Sequence, residues 1–202
     1  MHNEILSEKQ IEFLKFLEKF SDDFGLVGGT AIALQIGHRQ SIDFDLASLK
    51  EIKTPSIRKK ILEFGKIEAV LVDNQDEYTL IVDGIKFTFF NYPFPTKFSE
   101  DLNGIISMPD IVTLSAMKAY ALGRRAKWKD YVDLYFIAEK LGSIDPIIEK
   151  AKEIFSVEFD EKNFRIQLAY FEDIDYSEKI VFMKEFEVED EKIKKKLLEY
   201  SV

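Results

Sequence analysis

The stretch Gly28-Gly29-Thr30-Ala31-Ile32-Ala33-Leu34-Gln35-Ile36-Gly37-His38-Arg39-Gln40-Ser41-Ile42-Asp43-Phe44-Asp45 decides how the chain is read. It joins a glycine turn, at the head of a short apolar helix, to an Asp-x-Asp strand. Residues i and i+2 of a strand share a face, so Asp43 and Asp45 project together, about 7 Å apart at Cα, while Phe44 and Leu46 face a core. Two neighbouring carboxylates can share metal ions roughly 3.5–4 Å apart and so clamp the attacking and leaving oxygens of a phosphoryl or nucleotidyl transfer. Mg²⁺ is the natural occupant, because it takes oxygen ligands and completes its shell with water and substrate phosphates. Gly28 and Gly29 let the backbone come close to a phosphate, and Thr30 opens a helix whose unpaired amides favour an anion. No Gly-Lys-Ser/Thr follows the glycines, so this is not a Walker loop, and it is not G-x-G-x-x-G either. Each motif alone has a bland reading, a solvated acidic strand end or an ordinary strand-to-helix turn. Side by side they point to a site for a nucleotide triphosphate and a divalent metal.

Working outward, Ser7-Glu8-Lys9-Gln10 has the form of a helix capping box. Phe13, Phe16, Leu17 and Phe20 then follow at i, i+3, i+4 and i+7, one apolar helical face. Residues 25–28 read as a short strand, 30–36 as a helix and 41–47 as the strand of the acids. Residues 55–64 read as a helix with Thr54 as N-cap and Pro55 at its first position. Strands are expected at 66–73, 77–82 and 85–91, with Asp83-Gly84 as a hairpin turn. The prolines of Asn91-Tyr92-Pro93-Phe94-Pro95-Thr96 end the sheet. From Pro109 onward the pattern is helical to the end, with breaks near Gly123, Gly142-Ser143, Ser156-Val157 and Asp173-Ile174-Asp175. The expected organisation is an α/β part at residues 1–104 and a helical part at 105–202, sharing an interface, with the active site in the cleft between them.

Bulk composition sets wide bounds. The 202 residues include 18 Phe and are 46% hydrophobic, ample for a packed interior. With no Cys, disulfides, Cys-ligated zinc and a thiol nucleophile are excluded, which suits a reducing cytoplasm. No cationic region followed by an apolar run opens the chain, and no apolar stretch approaches the ~18 residues of a membrane span. A cytoplasmic protein that makes no use of the membrane is the expectation. The net charge of −9 argues against a broad electrostatic grip on nucleic acid, though a local basic patch could serve.

An apolar residue, two glycines, a short helix and then Asp-x-Asp on the next strand resembles the polymerase-β-type nucleotidyltransferase superfamily. The string from Leu26 to Thr30 and from Gly37 to Asp45 resembles its AbiEii/AbiGii toxin branch. A second block does too: Lys118 on a helix, Arg124-Arg125, then Lys129-Asp130-Tyr131-Val132-Asp133-Leu134. The resemblance covers roughly residues 24 to 140. It implies an α+β fold, a polymerase-β-like nucleotidyltransferase core with a small mixed sheet followed by a C-terminal helical bundle. It also implies Mg²⁺-dependent transfer of a nucleotidyl group from an NTP to an RNA (a tRNA end in some members) or protein acceptor, by the toxin of a pair whose antitoxin is encoded alongside. By the matched positions, Gly28, Gly29, Thr30, Arg39 and Ser41 belong to the nucleotide site and Asp43 and Asp45 hold metal. Lys118 meets the triphosphate, and Asp130 orients it or takes a proton from the incoming hydroxyl. One departure stands out: the superfamily usually carries a third carboxylate on a later strand, and residues 85–92 contain no acid. Asp130 and Asp133 are the candidates to supply it from the helical part.

Several residues keep two readings. His38 and Arg39 suit a phosphate contact, yet cations are also favoured at a helix C-terminus, and Arg39 can tie down the Asp43 strand instead. Arg124, Arg125, Lys127 and Lys129, with Trp128 among them, suit a single-stranded RNA end by charge and stacking. Equally, they suit a solvated helical face with Trp128 in the core. Two other functions compete with nucleotidyl transfer: a nucleotide-binding module without turnover, and a phosphotransferase on the same fold.

Overall fold

The computed structural model describes residues 1–122 and 124–202; the break expected at Gly123 lies outside the described residues. The chain divides into two compact units. The first comprises Met1, Asn3–Ala31 and Ser41–Asp110, and the second His2, Ile32–Gln40 and Ile111–Val202.

In the first unit, α1 (Glu8–Leu17) starts where the capping box puts it: the Ser7 side chain accepts from Gln10 N–H while the Gln10 side chain accepts from Ser7 N–H. A single 3-10 turn, Glu18–Phe20, extends it. Five strands follow: β1 (Gly25–Val27), β2 (Phe44–Ser48), β3 (Ile67–Asp73), β4 (Glu77–Val82) and β5 (Ile85–Asn91). They form one mixed sheet in the order β1-β2-β5-β4-β3. Only the β2–β5 pair is parallel, with Phe44 beside Phe87 and Asp45 beside Thr88. Asp83 and Gly84 both take positive φ, 48° and 80°, which is the backbone a tight two-residue hairpin turn requires and the reason Asp-Gly works there.

One face of the sheet is the core. Leu26, Phe44, Leu46, Tyr78, Leu80, Val82, Phe87 and Phe89 are all fully buried on it. Phe13 of α1 packs on Phe87 at 5.3 Å between ring centroids, and Phe20 on Phe89 at 4.9 Å. Each such ring contributes about 1.5–3 kcal/mol by leaving water. The opposite face carries Asp45 on β2, Lys86 and Thr88 on β5, and Glu77 and Thr79 on β4, as strand alternation requires.

Three local readings need correction. The Asp-x-Asp strand begins at Phe44, not at Ser41, because side chains rather than a ladder hold residues 41–43. The helix α3 (Thr54–Leu62) includes Thr54 instead of being capped by it, and Lys53 stands at the cap without a side-chain bond. A hairpin not expected from the sequence, β6 (Glu100–Leu102) with β7 (Ile106–Met108), turns through Asn103 and Gly104 at φ 53° and 74°.

The second unit contains the end of α2 (Gly28–Ile36), then α4 (Ile111–Leu122), α5 (Trp128–Leu141), α6 (Asp145–Phe155), α7 (Glu161–Leu168) and α8 (Asp190–Tyr200). Gly142 closes α5 in the left-handed conformation, and Asp160 caps α7 through its side chain. The expectation of helix to the end fails between Ala169 and Glu189. There the chain runs without helix, and backbone bonds hold it at two places: Asp175 N–H donates to Ala126 C=O at 2.7 Å, and Gln40 N–H donates to Val181 C=O at 2.9 Å with Met183 N–H to His38 C=O at 3.0 Å. Among the described residues no helix is long and apolar enough to cross a membrane.

Candidate active site

The acidic pair is placed where β1 hands over to α2. Val27, the last residue of β1, pairs with Asp45 of β2, so the glycine turn that follows lies beside that aspartate. Gly28 takes φ +71°, and a Cβ placed on it would come within 2.2 Å of Asp45 Oδ2. The carboxylate therefore lies against a bare Cα at the N-terminus of α2, a place only glycine leaves open, where the helix's unpaired amides favour negative charge. Gly29 is the second residue of α2.

Thr30 is buried, and it works inward: its Oγ1 lies 2.9 Å from Ser41 Oγ and donates to the Asp43 carbonyl. Gln10 Nε2 donates to Ser41 C=O at 2.7 Å. These side chains fix the three residues that precede β2, and with them the direction in which Asp43 leaves the backbone. Asp43 Oδ2 meets the ammonium of Lys86, on β5, at 2.7 Å. Sequence reasoning did not single out Lys86; strand alternation across a parallel β2–β5 pair was the signal that could have found it.

Asp43 and Asp45 fit a divalent cation of the Mg²⁺ kind by their chemistry. They are hard oxygen donors on one face, beside a helix terminus that accepts the phosphates such an ion brings with it. Among the described residues no group of three or more His, Asp and Glu is placed to hold a metal ion. The donor set thus suits an ion that draws its other ligands from substrate and water.

The second unit carries a buried ionic cluster. Asp130 and Asp133 stand one turn apart on α5, and Lys118 of α4 reaches both, at 2.8 and 3.0 Å. Arg39 grips Asp133 with two bonds, Nε at 2.7 Å and Nη2 at 2.9 Å, and His38 Nε2 lies 2.8 Å from the same carboxylate. Arg125, half-exposed, reaches Asp130 at 3.0 Å. Two buried cations, Arg39 and Lys118, and the half-exposed Arg125 thus surround two carboxylates that are completely buried.

The titration behaviour follows. Burial pushes the Asp133 carboxyl up, but Arg39 and Lys118 overcome it and hold the group well below the usual carboxylate range. Burial also works against the charged forms of Lys118 and Arg39, and their carboxylate partners still raise both. For His38 burial wins over Asp133 and lowers its pKa. A neutral imidazole that donates its Nε2–H in a hydrogen bond to Asp133 leaves Nδ1 as a bare acceptor, and Nδ1 is indeed buried without a partner.

The second unit also settles the readings of the basic stretch. Trp128 is 4% exposed, stacked near Tyr131 and Tyr176, with its indole N–H on Asp190 at 3.0 Å, so it is core and not a platform for a base. Lys127 and Lys129 both pair with Glu178; burial works against that carboxylate, yet its bonds to the two lysines hold its pKa down at about 2. The fork of Arg39 is taken up by Asp133.

No family model matches this chain. An uncharacterized protein of Aquifex aeolicus (strain VF5), aq_aa25, is 32% identical over 160 residues, 75% of either chain. Among solved structures, an H. pylori protein assigned as a nucleotidyltransferase matches with a TM-score of 0.56 and 18% identity, over 80% of this chain and 79% of its own. JHP933 from Helicobacter pylori matches with a TM-score of 0.53 and 18% identity, over 81% and 74%. At such identity the likeness is one of fold, and it agrees with the α+β architecture and small mixed sheet described above.

Proposed function

We propose that this chain, which belongs to the same family as the Aquifex aeolicus protein aq_aa25, is a Mg²⁺-dependent nucleotidyltransferase of the AbiEii/AbiGii kind. Its donor is an NTP and its acceptor an RNA, a tRNA end being the first to try, or a protein. Its setting is a cytoplasmic toxin with a cognate antitoxin. The observation that carries the reading is the placement of the Asp45 carboxylate against Gly28 at the head of α2, with Asp43 anchored next to it through Thr30.

In this reading the acceptor hydroxyl gives up its proton to solvent, its oxygen forms a bond to the α-phosphorus, the bond from that phosphorus to the α–β bridging oxygen breaks, and pyrophosphate leaves. Asp43 and Asp45 would hold the divalent ion, whose chemistry there would be to neutralise phosphate charge and polarise the phosphorus. The amides of Gly28, Gly29 and Thr30 receive phosphate oxygens, and Ser41 and Thr30 keep the acid segment in place. The resemblance alone assigns Lys118 a charge toward the triphosphate and Asp130 an orienting or proton-accepting carboxylate; in their own unit the two are paired with each other at 2.8 Å. Arg125 is the most exposed cation of their cluster and the one freest to turn to a phosphate.

A labelled-NTP reaction with total RNA and protein as acceptors tests this. Label from the α-phosphate should enter an acceptor, and Asp43→Ala and Asp45→Ala should each abolish the transfer. Incorporation from γ-label alone would make the protein a phosphotransferase, and nucleotide binding with neither product would make it a binding module.

A further inference from the structure

We propose that Lys86 is a built-in cation that takes the place of a second metal ion, so that the Asp43–Asp45 pair binds one divalent ion per chain. The inference rests on the reading of those two aspartates as metal ligands. It starts from the sheet. In the parallel β2–β5 pair Phe44 lies beside Phe87 and Asp45 beside Thr88. One step earlier along each strand come Asp43 and Lys86, and their side chains meet at 2.7 Å on the face opposite the core. The strand next to the acids thus presents them with an ammonium and a hydroxyl, and with no carboxylate.

An ammonium at this distance takes up a lone pair of Asp43 Oδ2 that a metal ion would otherwise use. The charges point the same way. Two carboxylates facing two divalent ions and a lysine would carry three surplus positive charges in one pocket, whereas one ion and the lysine leave a surplus of one. Among the described residues no third acid is placed to offset the larger surplus. Lys86 is also well placed to stay: it projects from a central strand of the sheet, and its side chain is 38% exposed, so the stem lies along the sheet and the head meets the carboxylate. In substrate binding it would act as a fixed positive charge beside the ion, with no ligand shell to assemble.

Mn²⁺ is the probe, because its binding can be counted by electron paramagnetic resonance and calorimetry on the full chain without any turnover. Wild type should bind one ion. Lys86→Glu, which offers a third carboxylate from β5, should bind two. Lys86→Gln removes the repulsion at similar size and should bind its single ion about tenfold more tightly or better, by the usual effect of deleting a like charge at this range. Circular dichroism checks that both variants fold; if Lys86→Glu does not, Lys86→Gln carries the test alone. Two ions bound by wild type, an unchanged count in a folded Lys86→Glu, or unchanged affinity in Lys86→Gln overturns the role of Lys86 while leaving the aspartates as ligands. No ion bound by wild type, or a count untouched by Asp45→Asn, overturns the metal site itself.

Discussion

Replacing Asp133 by alanine deletes the carboxylate on which Arg39, His38 and Lys118 converge. Asp133 is fully buried and Arg39 nearly so, with 6% of its side chain exposed, so the guanidinium would be left in the interior without its partner. Lys118 would keep Asp130 at 2.8 Å and loses less. Breaking a buried pair on one side costs about 3–5 kcal/mol, because the remaining charge has neither water nor counter-ion. Against a total stability of about 5–15 kcal/mol, that is a large share. Urea unfolding followed through Trp128 suits the measurement, since the chain has 1 Trp and it sits on α5, the helix that carries Asp133. With a slope of about 2 kcal/mol per M, the midpoint should fall by roughly 1.5–2.5 M. Arg39→Met added to Asp133→Ala should restore part of the loss, because it removes the stranded charge. A loss below about 1 kcal/mol for Asp133→Ala, or no recovery in the double variant, would refute the reasoning from buried charge.

Three further outcomes are expected. The lowered pKa of His38 means that the folded protein favours its neutral form, so its stability contribution is complete above the unfolded value of about 6.5 and is lost as pH falls below it; wild type should weaken from pH 7.5 to 5 more than His38→Gln does in the same urea titrations. Gly28→Ala puts a Cβ 2.2 Å from Asp45 Oδ2 on a backbone at φ +71°. It should lower nucleotidyl transfer about a hundredfold or more by misplacing that carboxylate, with near-normal circular dichroism. Thr30→Val leaves the Asp43 carbonyl without its hydroxyl donor and should cost about 1–3 kcal/mol by calorimetry, while Thr30→Ser retains most of the stability.

What the sequence revealed was local. The capping box at Ser7 and Gln10 spans one turn, and the Asp83-Gly84 hairpin is decided by the φ values of two residues, so both could be read from neighbours alone. Asn103-Gly104 also carries a hairpin signal, but strands of three residues each leave almost no alternation for a sequence to show. The start of β2 at Phe44 was not legible, since Thr30 and Gln10, from two different helices, hold the residues before it. The lack of helix over residues 169–189 was not legible, because backbone bonds to residues 38–40 and 126–128, far away in sequence, hold Val181, Met183 and Asp175. The same limit applies to the chemistry. Asp43, Asp45 and the glycines could be found by spacing, but the hold of Arg39 and His38 on Asp133, and of Lys86 on Asp43, exists only once distant elements meet.

The single parallel pairing in the sheet has a kinetic consequence. β3, β4 and β5 are joined by short turns and can zip up as a meander, whereas β2 must find β5 across α3, β3 and β4, which makes it the costliest loop closure in the sheet. Asp45 gains its neighbour Thr88, and Asp43 its ammonium, only when that last seam closes. On the proposed reading, metal binding during refolding should therefore lag behind hydrogen-exchange protection of the β4 and β5 amides, and a chain stalled before the seam would hold a sheet without the paired Asp43 and Asp45.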